Sequence, residues 1–208
     1  MARGYLVAYN VAQAGGWALL LARLLLAPGK VKTGEIRLAY FLQFFALLEV
    51  IHSLLGLVRS GTLTALLQWG GRFHVIAAVV APIEEIQNSP CLVTLLGAWS
   101  LSEVIRYPQY VASILGTCPP WLTWARYSGF IVLYPIGFFS EMHLMYSALP
   151  FIRKENMYSS FFRWAPFGYH GFIMALLVIY PGFALFLYAH MLSQRRAKLR
   201  LTPERKRE

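Results

Sequence analysis

Apolar residues run through this chain in long blocks, separated by short polar or Pro/Gly stretches, and that pattern limits its fold more than any other feature. The blocks fall at residues 5–26, 38–58, 62–83, 92–115, 121–149 and 168–192. Each is close to the roughly 20 residues an α-helix needs to cross the hydrocarbon layer of a bilayer. The expected fold is therefore all-α, an integral membrane bundle of six transmembrane helices. One domain over residues 1–208 is expected, ending in a short basic tail from 193 to 208.

Composition agrees with that class. The 208 residues are 58% hydrophobic and only 13% charged, with a mean hydropathy of +0.52, well beyond the balance of soluble domains. A net charge of +10 would suggest nucleic acid in a soluble chain. Here the positive residues gather at the ends of apolar runs and in the tail, where a membrane surface explains them, so no nucleic-acid role is expected. Two cysteines, Cys91 and Cys118, are too few and too widely spaced for a disulfide framework or a metal site. The first run follows Arg3 and faintly resembles a signal peptide. It is too long for one and contains Asn10 and Gln13, so it is expected to be a retained helix.

Punctuation sets the expected ends: Pro28-Gly29 after the first run, Gly61 after the second, and residues 116–120 after the fourth. Pro135 with Gly137 is the expected cause of a kink in the long fifth run. An even number of helices puts both termini on one side. Arg195, Arg196, Lys198, Arg200, Arg205, Lys206 and Arg207 in the tail outweigh the opposing loop cations Lys30, Lys32, Arg37, Arg153, Lys154 and Arg163. Both termini are therefore expected in the cytosol. Cys91 and Cys118 then face opposite sides and do not pair. The basic end at Arg205 and Lys206 is similar to a dibasic retrieval signal, which points to the endoplasmic reticulum membrane.

Ionisable residues inside the runs need a reason, because each costs about 2.5–3.5 kcal/mol or more at the bilayer centre. Glu49 and His52 lie three apart on one helical face, and so do Glu103 and Arg106. The second pair is expected to form a local ion pair bonded to neighbouring helices. For the first, a structural hydrogen-bond cluster and a supporting role for a site are both open. Arg72 and His74 interrupt the third run, and His143 is expected to be an interfacial residue. Glu141 lies seven residues after Tyr134, so both project from one face about 10 Å apart along the axis. Tyr127, a further seven back, is expected on the same stripe.

The stretch from Trp124 to Glu141 contains Arg126-Tyr127, then Leu133-Tyr134-Pro135-Ile136-Gly137, then Glu141. It resembles the membrane 3-hydroxyacyl-CoA dehydratases of very-long-chain fatty acid elongation, also called protein-tyrosine-phosphatase-like proteins. Further blocks agree in order: Tyr9-Asn10 with Gly16-Trp17, Glu49 to His52 with Gly56 to Ser60, Gln68 with Arg72, and Trp99 through Glu103 to Tyr107. The resemblance assigns the catalytic pair to Tyr134 and Glu141. Phosphatase chemistry is not expected, because it needs Cys-x5-Arg and Cys118 is followed by Arg only at 126.

The implied reaction removes a proton from C2 and hydroxide from C3 of a long-chain 3-hydroxyacyl-CoA, giving the trans-2-enoyl thioester. It needs a base and a proton donor but no metal, flavin or nicotinamide, so no cofactor is expected. A carboxylate held among apolar helices suits the base, Glu141. Tyr134 would protonate the departing 3-hydroxyl or steady the thioester oxygen; the sequence leaves the reverse roles open. The acyl chain is expected inside the bundle, with the CoA phosphates near Arg59, Arg126 or the tail. The resemblance also implies membrane lipid as surroundings, and a condensing enzyme, a 3-ketoacyl-CoA reductase and an enoyl-CoA reductase as partners. The rival readings are a small transporter and a non-catalytic scaffold of the elongation complex.

Overall fold

The computed structural model describes residues 2–58 and 61–204, all helix and connecting turn. The basic motif at Arg205, Lys206 and Arg207 lies outside these residues, as do Arg59 and Ser60. The helices are α1 (Ala2–Leu26), α2 (Thr33–Phe45), α3 (Leu47–Leu54), α4 (Thr62–His74), α5 (Glu84–Gln87), α6 (Pro90–Leu115), α7 (Pro120–Ser128), α8 (Phe130–Lys154), α9 (Ser159–Phe162) and α10 (Tyr169–Glu204). A π-helical turn, Val75–Val80, extends α4.

The six apolar runs map onto α1, α2 with α3, α4 with its π turn, α6, α7 with α8, and α10. Two of these stretches are long and apolar enough to cross a membrane by length and composition: Thr62–Val80, with mean hydropathy 1.3, and Tyr169–Leu199, with 2.2. The other runs are broken or carry polar groups. The second divides at Ala46 into helices of 13 and 8 residues. Helix α1 carries Asn10 and Gln13, α6 carries Glu103 and Arg106, and α8 carries Glu141 with Arg153 and Lys154.

Local chemistry explains several boundaries. Helix α2 starts earlier than its apolar run because the Glu35 carboxylate accepts the Lys32 backbone N–H at 2.5 Å and closes the first turn. Helix α6 opens with Pro90 in its first turn and stops at Gly116, whose φ of +77° suits a residue without Cβ. The fifth run is interrupted at Gly129, and Pro135 lies within an unbroken α8. Pro135 has no N–H for the Ile131 carbonyl. The Tyr188 hydroxyl, from α10, donates to that carbonyl instead, at 3.4 Å.

Helix α6 is central, packed on α1 along one side and on α8 along another, while α10 lies against α7 and α8. Trp17, Leu20, Leu92, Leu95, Leu96, Leu144 and Ile173 fill the interior. Alongside them Glu103 is 1% exposed, Gln13 3% and Glu141 6%, whereas Leu26, Val178, Leu185 and Phe186 face outward. Charged and polar groups inside with large apolar side chains outside is the arrangement lipid favours and water opposes.

Gly116→Ala is expected to destabilise the protein by about 1–2 kcal/mol, since a Cβ is strained in the left-handed region. Gly97, within α6, has open space where a Cβ would go, so Gly97→Ala is expected to be neutral or to stabilise by up to about 1 kcal/mol. Melting temperatures of the two purified variants in one detergent check the opposite signs.

Candidate active site

Helix α8 presents Gly137, Ser140, Glu141, Leu144 and Met145 to the interior. The Glu141 carboxylate receives two hydrogen bonds from neighbouring helices. Trp99 Nε1 of α6 donates to Oε1 at 3.1 Å, and the Tyr180 hydroxyl of α10 donates to Oε2 at 2.5 Å. Gly137, one turn before Glu141, faces the Trp99 indole, which a Cβ there would meet at an ordinary contact distance of 4.0 Å. Among the described residues, no ion pair involves Glu141.

Tyr134 lies on the same seam between α8 and α10, towards the end of the bundle that carries Arg195. It is half-buried, and its hydroxyl donates to the Ala184 carbonyl of α10 at 3.2 Å. Its ring centre is 5.9 Å from that of Tyr188. The two predicted residues thus share one seam. Each is held by a group from α10, Glu141 by Tyr180 and Tyr134 by the Ala184 carbonyl. Tyr127 lies before the boundary at Gly129, on α7.

A cavity of about 50 Å³ lies on the other side of Glu141 from Tyr134, lined by Gly71, His74, Val75, Met145, Leu176 and Tyr180. A Cβ on Gly71 would lie in ordinary van der Waals contact with the Tyr180 hydroxyl, at 3.8 Å. His74 meets the Tyr169 hydroxyl at 3.0 Å. His143 lines a separate open groove of about 610 Å³ with Phe139, Ser140, Met142, Tyr146, Leu177 and Cys91.

Beside the site runs an ion network. Arg106 Nε reaches Glu103 at 2.5 Å, confirming the local pair, and Arg72 bonds the other Glu103 oxygen. Arg106 also grips Glu49 with both terminal nitrogens, at 2.7 and 3.0 Å, in the two-point geometry that strengthens such pairs. The Tyr107 and Tyr9 hydroxyls donate to Glu49 as well. Glu49 therefore belongs to a structural cluster, while His52 bonds Tyr5 at 2.9 Å. Arg72 links the network to the site, its guanidinium lying 5.3 Å from the Trp99 ring centre.

The sequence did not single out Tyr180, nor Trp99 as a partner of Glu141. One signal was available for Tyr180. Tyr180-Pro181 repeats the Tyr-Pro dipeptide of Tyr134-Pro135 in the final run. Cys91 and Cys118 are free and flank the two ends of α6, about 39 Å apart for a helix of 26 residues. Among the described residues, no three of His, Cys, Asp or Glu gather as metal ligands would.

Fold and site together define an all-helical protein with a buried carboxylate–hydroxyl site. The chain belongs to the protein tyrosine phosphatase-like (PTPLA) family, whose family model matches residues 43–201. It is similar to very-long-chain (3R)-3-hydroxyacyl-CoA dehydratase 2 of Mus musculus, at 36% identity over the whole of this chain and 85% of that protein. A probable dehydratase of the same name from Schizosaccharomyces pombe is 35% identical over 92% of this chain and 91% of the relative. The dehydratase PASTICCINO 2 of Arabidopsis thaliana is 33% identical over 95% and 93%. No solved structure matches.

Arg106→Met would leave Glu49 and Glu103 without their shared cation. A loss of about 3–5 kcal/mol is expected, as for other broken buried pairs. Thermal unfolding in detergent checks this, and a melting point equal to the parent's would show that the network contributes little.

Proposed function

We propose that this chain is a very-long-chain 3-hydroxyacyl-CoA dehydratase of the fatty acid elongation cycle, with Tyr134 and Glu141 as its catalytic pair. The observation that carries the reading is Glu141 itself, a buried carboxylate bonded by the neutral donors Trp99 and Tyr180 in a chain similar along its whole length to named dehydratases. A carboxylate locked in an ion pair would lose that pair on taking up a proton. Glu141 can accept one from carbon while its neutral donors stay in place.

In this mechanism Glu141 removes the C2 proton, and the C2–H electron pair forms the double bond to C3. The C3–O bond breaks with its pair on oxygen, which takes a proton from a hydroxyl donor and leaves as water, giving the trans-2-enoyl thioester. Tyr134 supplies a second polar contact about two helical turns away, either to the departing oxygen or to the thioester oxygen, where charge builds during proton abstraction. The partly buried position of Tyr134 supports contact with a substrate entering along the seam. At the end of that seam Arg195 Nε donates to Ser128 Oγ at 3.1 Å, and Arg126 lies on the same α7 segment. These cations suit the CoA phosphates.

The membrane setting completes the proposal. The outward apolar surface supports six spans, with α2–α3 and α7–α8 each crossing as a broken helix. The basic C-terminal segment of α10 supports a cytosolic location for both termini, and the compartment proposed is the endoplasmic reticulum. The acyl chain occupies the apolar interior. The condensing enzyme and the two reductases of the cycle are the proposed partners.

Purified protein in detergent is expected to convert long-chain 3-hydroxyacyl-CoA to trans-2-enoyl-CoA. Glu141→Gln and Tyr134→Phe are each expected to lower kcat by about 10²-fold or more, with elution and melting unchanged. An inactive, well-folded parent would overturn the dehydratase reading. Full activity in either variant would remove that residue from the pair.

A further inference from the structure

The geometry points to Tyr180 as a third catalytic residue, the hydroxyl that protonates the departing 3-hydroxyl group and then recovers its proton from Glu141. This rests on the dehydratase reading and assigns to α10 a role that the Tyr134–Glu141 pair leaves open. Three observations converge. The Tyr180 hydroxyl is bonded directly to Glu141 Oε2, whereas the Tyr134 hydroxyl is bonded to the Ala184 carbonyl. Tyr180 lines the small cavity beside Glu141, together with Gly71, Met145 and Leu176. The three groups also lie in an order that fits the substrate.

That order follows from the directions of the helices. Helix α8 runs away from the end carrying Arg195, so Tyr134 comes before Glu141 and Met145 after it. Helix α10 runs back, so Leu176 comes before Tyr180, and Tyr188 and Arg195 follow. A thioester whose CoA sits at the Arg195 end therefore passes Tyr134 first. C2 then reaches Glu141, and the acyl chain continues towards Gly71, Met145 and Leu176. The C3 oxygen falls next to Tyr180, and Tyr134 is left beside the thioester oxygen.

The proton balance closes without any outside donor. Glu141 takes the C2 proton, and the C2–H electron pair becomes the new double bond to C3. The C3–O bond breaks with its pair on oxygen, and that oxygen takes the Tyr180 proton and leaves as water. To give that proton the Tyr180 O–H turns from Glu141 Oε2 to the departing oxygen, and the protonated Glu141 then donates to the Tyr180 phenolate across the same contact and returns the proton. Both side chains return to their starting states.

The test compares two substrates on the full-length protein, long-chain 3-hydroxyacyl-CoA and its 3-chloro analogue, for the parent, Tyr180→Phe and Glu141→Gln. Chloride leaves without needing a proton, whereas hydroxide does not. Tyr180→Phe is expected to lose about 10²-fold or more in kcat on the hydroxy substrate, with KM little changed, and to recover most of that loss on the chloro substrate. Glu141→Gln is expected to be slow on both. If Tyr180→Phe loses the same factor on both substrates, or loses nothing on the first, the role given to Tyr180 is wrong and the dehydratase reading stands. A parent that dehydrates no hydroxy substrate overturns that reading, and the Tyr180 assignment with it.

Discussion

The chain Glu49–Arg106–Glu103–Arg72 is the constraint on which the rest of the bundle depends. Four charges inside an apolar assembly are tolerable only when every one has a partner, because the cost of taking an ion from water is several kcal/mol even after relaxation. Here two carboxylates alternate with two guanidiniums, and the hydroxyls of Tyr107 and Tyr9 occupy further acceptor sites on Glu49. Closing that set requires α1, α3, α4 and α6 to meet at one level. No shift of one helix along another keeps all the bonds, so the network fixes register where apolar packing alone would allow sliding.

The site inherits that register through one residue. Arg72 ends the network and lies against the Trp99 ring, and the Trp99 N–H holds Glu141. Nearly all the interior positive charge is consumed before it reaches Glu141. The structure thus keeps two kinds of buried acid: Glu49 and Glu103 are bonded to cations, and Glu141 is bonded to neutral groups. Only the second kind can change its protonation state in a reaction cycle without breaking the bundle's ion pairs.

Much of this was legible in the residues, and the gaps have physical causes. The helical class follows from length, and the ends of α1 and α6 follow from Pro28-Gly29 and Gly116, which act locally. The Glu103–Arg106 pair follows from a spacing of three. The break at Ala46 was hidden, because residues 44–48 form an unbroken apolar run and the interruption depends on how α2 and α3 pack on other helices. Pro135 was the expected cause of a kink; it lies within α8, where the Tyr188 hydroxyl bonds the carbonyl that it leaves free, and the interruption at Gly129 came from no signal singled out in the sequence. Tyr180 was hidden for a related reason. Its link to Glu141 crosses between helices 39 residues apart, and no spacing within one helix encodes it.

The α8–α10 seam shows why a long apolar helix carries so many hydroxyl groups. Moving from the middle of the bundle towards Arg195, Tyr180 bonds Glu141, the Ala184 carbonyl receives Tyr134, Tyr188 bonds the Ile131 carbonyl, and Arg195 bonds Ser128. Numbers fall on one side as they rise on the other, as they must for antiparallel helices, and the steps are about one or two turns. The contacts therefore form a ladder from the basic end to the buried carboxylate. Such a ladder adds little to packing between two apolar helices that dispersion already holds. In the proposed function it would give a polar substrate head successive partners on the way to Glu141, while the apolar faces on either side remain for its chain.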